Sequence, residues 1–251
     1  MRIIISPAKK MNVDDDTLKY CELPVFIEDT GVIMQHMQTL SLKESQQLWK
    51  CNEKLAKENY DRFQNMKLTG RMTPAILSYE GIQYQYMAPA VFETEMLSYI
   101  QKHLRILSGF YGVLRPMDGV TPYRLEMQAK IHMDGIKDLY DFWGERLYHE
   151  VMDDSRVIIN LASKEYSKCI EKYIQKEDRF ITCVFGEWSG GKVVQKGTYA
   201  KMARGEMVRF MAENNIEEPE DIKEFHTFIL TVGPTYYDII RDRMNTWAAQ
   251  Y

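Results

Sequence analysis

The 251-residue chain has no Cys-x-x-Cys pair and no His-x-x-x-His spacing, because its four cysteines (Cys21, Cys51, Cys169, Cys183) and five histidines (His36, His103, His132, His149, His226) are scattered. That distribution argues against a zinc ribbon or a thioredoxin-type centre, and no protein-built metal site or cofactor is expected. The chain also lacks Gly-x-x-x-x-Gly-Lys-Ser/Thr, Gly-x-Ser-x-Gly and His-Glu-x-x-His, which removes the common phosphate-loop, nucleophile-elbow and zinc-protease readings. No apolar run approaches the roughly 18 residues of a membrane span, so no membrane partner is expected. The apolar run at residues 1–5 is too short for a secretory signal, and a cytoplasmic compartment is expected. There is no internal repeat, low-complexity tract or Gly/Ser/Pro-rich linker.

What is present suffices for a large core: 45% hydrophobic and 12% aromatic residues, with 27% charged. The sixteen methionines suit irregular core gaps. The net charge of −4 hides a polarised last third. Lys192, Lys196, Lys201, Arg204 and Arg209 face a single acid, Glu206, across residues 190–210, and an acidic stretch from Glu213 to Glu224 follows. A basic patch can sit inside an acidic protein.

Hydrophobic periodicity predicts a buried strand at residues 2–6, stopped by Pro7, and helices at 31–40, 42–62, 74–77, 92–106, 138–151 and 198–214. Ser41 and Glu44 have capping-box spacing. Residues 156–162 read as the clearest strand, running into a helix N-capped by Ser163. Residues 179–188 and 192–195 form a hairpin pattern around Ser189-Gly190-Gly191, and 225–232 a further strand. Strands and helices interleave without a regular βαβ rhythm. The expectation is a single mixed α/β (α+β) domain over residues 1–251, with a central mixed sheet surrounded by helices.

Chemistry concentrates in a few segments. Residues 109–127, GFYGVLRPMDGVTPYRLEM, have neither helix nor strand periodicity and predict a shaped loop or short hairpin. Gly109 and Gly112, after a predicted helix, faintly match a helix-hairpin-helix whose backbone N–H groups meet phosphate. Arg115 and Arg124 offer planar donor forks for phosphate or carboxylate. Tyr123 lies beside Arg124, and Glu126 suits proton transfer or an ion pair. Lys9 follows the first strand, and ligand sites often lie at strand ends. Asn160, Ser163, Glu165 and Lys168 line a strand-to-helix junction. Lys201 and Arg204 share a helix face. As solvated or structural charges, all of these also have ordinary roles.

Taken in order, SPAKKM, GFYGVLRPMDGVTPYRLEM, LYDFWG, INLASKEYSK and YAKMARGEMVRF resemble the YaaA family of bacterial peroxide-stress proteins, over residues 1 to about 224. The resemblance implies a compact α/β fold with a helix-hairpin-helix-like element and double-stranded DNA binding in a basic cleft. It also implies a role in limiting iron-driven oxidative damage, without an established reaction. The anion- or DNA-binding residues it indicates are Lys9, Gly109, Gly112, Arg115, Tyr123, Arg124, Lys168, Lys201 and Arg204. Gln128-Ala129 replaces the small Gly-Thr step usual after this motif, and the tail after residue 225 fits the pattern poorly.

Two functions remain open on sequence. One is a monomeric DNA-binding stress protein. The other is an enzyme for a small phosphorylated or nucleotide-like substrate, with Lys9, Glu126, Asn160, Ser163 and Glu165 as candidate catalytic groups.

Overall fold

Ile3, Ile4 and Ile5 are fully buried, as expected of a strand covered on both faces, which reads as a continuous apolar run. The computed structural model describes residues 1–14, 17–70, 72–133, 135–189, 192–225 and 236–242. In chain order the elements begin with β1 (Arg2–Ile5), β2 (Lys10–Met11), α1 (Ile27–Thr39), α2 (Leu42–Trp49) and α3 (Glu53–Gln64). Then come β3 (Thr73–Pro74), α4 (Ala75–Ser78), β4 (Tyr79–Glu80), α5 (Ile82–Met87), α6 (Thr94–His103), β5 (Leu104–Ser108), β6 (Gly112–Leu114) and β7 (Gly119–Val120). The remainder are α7 (Leu139–Trp143), α8 (Arg146–Val151), β8 (Val157–Asn160), α9 (Lys164–Glu171), β9 (Arg179–Ser189), β10 (Lys192–Val194), α10 (Gly197–Glu213) and β11 (Tyr236–Asp242).

The mixed α/β expectation holds. A seven-stranded sheet has the order β10-β9-β8-β1-β5-β6, with β11 also on β9. β1 pairs in parallel with β5 on one side and β8 on the other, and β8 pairs in parallel with β9. β6, β10 and β11 add antiparallel strands. The chain therefore leaves β1 toward β5, but leaves the adjacent β8 in the opposite direction, toward β9. Such a reversal opens a crevice beyond the carboxyl ends of the strands.

Several elements differ from expectation. The helix predicted at 92–106 ends at His103, and residues 104–108 are a fully buried strand; a short apolar run cannot be told from a helix by periodicity alone. The expected helix-hairpin-helix is consequently a β-hairpin: β5 turns through Gly109–Tyr111 into β6, pairing Ser108 with Gly112. The helix expected at 42–62 splits, because Lys50 turns left-handed (φ 47°) and Asn52 starts a new cap, accepting from Leu55 N–H at 2.9 Å. The Ser41–Glu44 capping box forms. The helix expected at 138–151 breaks at Gly144 (φ 55°). The tail, which gave no strand signal, contributes β11, while most of the strand expected at 225–232 lies outside the described residues.

α10 rests directly on the backbone of α5. A Cβ on Gly205 would lie 2.1 Å from Gln83 O and 2.9 Å from Met87 N. In an ordinary helix, Gly→Ala gains about 1 kcal/mol. Here the sign reverses, and Gly205→Ala should destabilise the protein by about 2 kcal/mol or more in urea unfolding. A neutral or stabilising effect would show that α10 can lift off α5.

Candidate functional site

The loops after β1 and β8 are stitched together by a pair of serines. Ser163 N–H donates to Ser6 Oγ at 2.8 Å, and the Ser6 hydroxyl donates to Ser163 Oγ at 3.2 Å. Tyr84 OH, from α5, donates to Ser6 O at 3.0 Å. Ser163 occupies the N-cap position of α9, but its side chain makes no cap bond; it is tied to Ser6 instead. Asn160 is also structural here. Its Oδ1 accepts Ala162 N–H at 2.9 Å and its Nδ2 donates to Thr182 Oγ1 at 3.2 Å.

Beside this seam, segment 123–126 closes a small cleft with Pro7, Ala8, Lys9 and Tyr166. Lys9 Nζ lies 3.0 Å from Glu126 Oε1, although 117 positions separate them in sequence (126 − 9). Arg124 Nη2 lies 3.3 Å from the same oxygen. The Glu126 and Arg124 side chains are only 11% and 14% exposed, whereas Lys9 is 66% exposed. A buried carboxylate needs such partners, since an unpaired charge away from water is strongly disfavoured. Glu165 approaches from α9, its Oε1 accepting Gln128 N–H at 3.2 Å. Burial, together with the charge of Glu126, raises its pKa, against the opposing pull of the Gln128 hydrogen bond and of Lys9. The site thus holds two cations and two carboxylates in unlike environments.

Tyr123 lines the cleft, but its hydroxyl is engaged in a buried chain of hydroxyls. Ser108 Oγ already accepts the N–H groups of Phe110 (3.1 Å) and Tyr111 (2.8 Å). Its proton is left for Tyr123 OH at 2.6 Å, and Tyr123 in turn donates to Tyr79 OH at 2.8 Å. Burial pushes the Tyr123 phenol up to about 12. Tyr79 and Ser108 were not legible as site residues, because nothing in the sequence around them signals the three-hydroxyl chain.

The other expected residues are dispersed. Gly109 and Gly112 are buried, so the turn offers no N–H face to a phosphate. Gly109 serves packing: a Cβ there would meet Leu125 O at 2.6 Å. Arg115 follows β6, whose last residue, Leu114, pairs with Ile106. It therefore lies at the opposite end of the parallel strands from Lys9, paired with Glu22 at 2.9 Å. Lys168 is exposed, its ammonium 4.6 Å from the Tyr140 ring centre. Lys201 is exposed, but Arg204 is partly buried, with Nε lacking a hydrogen-bond partner among the described residues and its pKa lowered by burial.

Residues 1–232 match the family described as peroxide stress protein YaaA. The chain belongs to that family. It is 61% identical over 225 residues to a UPF0246 protein of Agathobacter rectalis, covering 90% of each chain. It is 56% identical to one from Lachnoclostridium phytofermentans (90% of this chain, 88% of the relative) and 52% identical to one from Pediococcus pentosaceus (90% of each). No described helix is long and apolar enough to cross a membrane. In this YaaA-family chain, then, the family-like segments SPAKKM, TPYRLEM and LASKEYSK meet at one place, the carboxyl ends of β1 and β8.

Arg115 marks a second charged cluster, of a structural kind. Asp118 is 2% exposed and accepts Arg115 N–H at 2.8 Å. Burial pushes its pKa up to about 7, against the pull of that hydrogen bond and of the Arg115 and Arg105 charges. An acid with a raised folded-state pKa binds its proton more tightly in the folded state than in the unfolded chain. Its stabilising contribution is therefore full below the unfolded value of about 4 and is lost as pH rises toward about 7. Asp118→Asn, which keeps the acceptor oxygen, should remove this dependence. Between pH 4 and pH 8 the unfolding free energy of the wild type should fall relative to the variant by up to about 4 kcal/mol, measured by urea titration. Parallel pH profiles would show that Asp118 is ionised throughout.

Proposed function

We propose that this YaaA-family protein serves the peroxide response by binding a small phosphorylated or nucleotide-like anion at Lys9, Arg124 and Glu126, with Glu126 and Glu165 as an acid/base pair. The observation that carries the reading is the 3.0 Å contact between exposed Lys9 and buried Glu126. A groove that only tracks a phosphate backbone has no need of a buried carboxylate. Two carboxylates in unlike environments, beside two cations, are the ingredients of proton transfer on a bound anion. The cleft encloses about 10 Å³ as it stands, room for about one water. An entering anion draws Lys9 off Glu126, while Arg124 stays with the carboxylate. Glu165, with its raised pKa, is the proton donor, and the freed Glu126 is the acceptor.

A thermal-shift and calorimetry screen of nucleotides and sugar phosphates tests this. A stabilising ligand is expected, with Lys9→Ala weakening it about tenfold or more. Glu126→Gln should abolish turnover of any ligand that proves to be a substrate. Binding indifferent to Lys9→Ala would remove the site.

The exposed cations favour a second reading, in which the protein binds duplex DNA across its surface and helps limit iron-driven oxidative damage. Lys9, Lys168 and Lys201 are all exposed. Phosphate neutralisation releases counterions, so affinity should fall linearly in log salt. Fluorescence anisotropy with a labelled duplex should then show Lys168→Glu with Lys201→Glu weakening binding and lowering the salt slope by about 2. An unchanged slope would exclude both lysines from the interface.

A further inference from the structure

A second, larger cleft lies between the end of α1, the helix α2 and the segment Lys130–His132, with a volume of about 320 Å³. That is within the range of small-molecule sites, about 300–1,000 Å³. Two of the five histidines that are scattered in sequence, His36 and His132, meet here, together with Lys50 and Lys130. Among the described residues neither lysine has a carboxylate within ion-pair distance. The one acid of the cleft, Glu44, is already engaged: its Oε2 accepts both N–H (2.8 Å) and O–H (2.6 Å) of Ser41 in the capping box of α2.

The walls are not uniformly polar. Ile131 is 2% exposed, and Leu40 and Leu48, partly buried against the core, also line the cleft. Lys50 reaches it from a left-handed backbone position (φ 47°) that ends α2. Glycine is the usual residue at such a position, and backbone held in a sparsely populated region tends to occur at functional sites. Unpaired ammonium groups and imidazole N–H donors around an apolar floor complement an anion that carries an apolar body. An inorganic ion would leave the floor unused, and a neutral apolar molecule would leave the cations unanswered.

We propose that this cleft is a ligand site, separate from the Lys9 site, for a small organic anion with an aryl or alkyl body and a carboxylate or phosphate head. Nothing in the proposal depends on the reading of the Lys9 cleft.

Titration calorimetry of the full chain with phenyl phosphate, benzoate and inorganic phosphate tests it. One aromatic anion should bind saturably with one-to-one stoichiometry, at least about tenfold tighter than inorganic phosphate. Which of the two binds better identifies the head group. Lys50→Ala with Lys130→Ala, both exposed positions, should weaken that binding about tenfold or more, and Lys9→Ala should leave it unchanged. The proposal is overturned if neither aromatic anion saturates at millimolar concentration, if inorganic phosphate binds equally well, or if only Lys9→Ala weakens binding. A folded double variant, checked by circular dichroism, that binds like the wild type also overturns it.

Discussion

The candidate site depends on the approach of one backbone to another at Gly109. A side chain there would collide with Leu125 O at 2.6 Å and with Met127 N at 2.9 Å, so only glycine lets segment 125–127 lie on the β5–β6 turn. The turn is held from the other direction by Trp143, whose indole N–H donates to Gly109 O at 3.0 Å. With the backbone fixed at that distance, Glu126 is carried into a nearly dry position beside the end of β1. A carboxylate there demands cations, and the chain supplies Arg124 from the same segment and Lys9 from the first loop. The next residues then give Gln128 N–H to Glu165. Packing at a glycine thus sets the electrostatics of the cleft.

The second determinant is the divergence of the chain at β1 and β8. Adjacent parallel strands whose connections leave in opposite directions leave backbone groups at their ends without ladder partners, and buried groups of that kind must find others. Ser6, Ser163 and Asn160 meet this need through the bonds that join the two loops. Their polar character, which on sequence suggests catalysis, is therefore absorbed by the scaffold. The ionisable groups beside them that line the cleft are Lys9, Arg124 and Glu126, with Glu165 held nearby on Gln128 N–H.

The strands at residues 2–6 and 156–162 were legible because three or more β-branched or aliphatic residues run together and both are bounded by breakers. So were the Ser41–Glu44 cap and the long helix near 198–214. The strand at 104–108 was not, since His103 and Leu107 continue the spacing of Phe92, Met96, Tyr99 and Ile100, and only tertiary pairing with β1 overrides the helical pattern. The same misreading produced the helix-hairpin-helix expectation for Gly109 and Gly112. Within the site, motif composition identified Lys9, Arg124, Glu126 and Glu165. It could not separate them from Arg115, which belongs to the same segment but is carried by an antiparallel strand to the far end of the sheet. Direction along a strand is a property of the fold, and residues eleven apart in this segment (126 − 115) end on opposite sides.

An acidic protein with a net charge of −4 can still select anions, because selection acts at the cleft and not through the total. Lys9 and Arg124 share a single oxygen of Glu126, so the three side chains together carry one excess positive charge. Their attachments differ: Arg124 is largely buried, while Lys9 reaches the pair from solvent. Lys9 is largely exposed while Glu126 is nearly buried, so detaching Lys9 costs least when its charge is answered elsewhere. A neutral ligand cannot answer it. An anion both compensates Lys9 and fills the space it vacates. Under the proposed function, the pair closing the cleft would act as a charge filter, with the solvent-exposed lysine as its moving part and the buried carboxylate as the group revealed behind it.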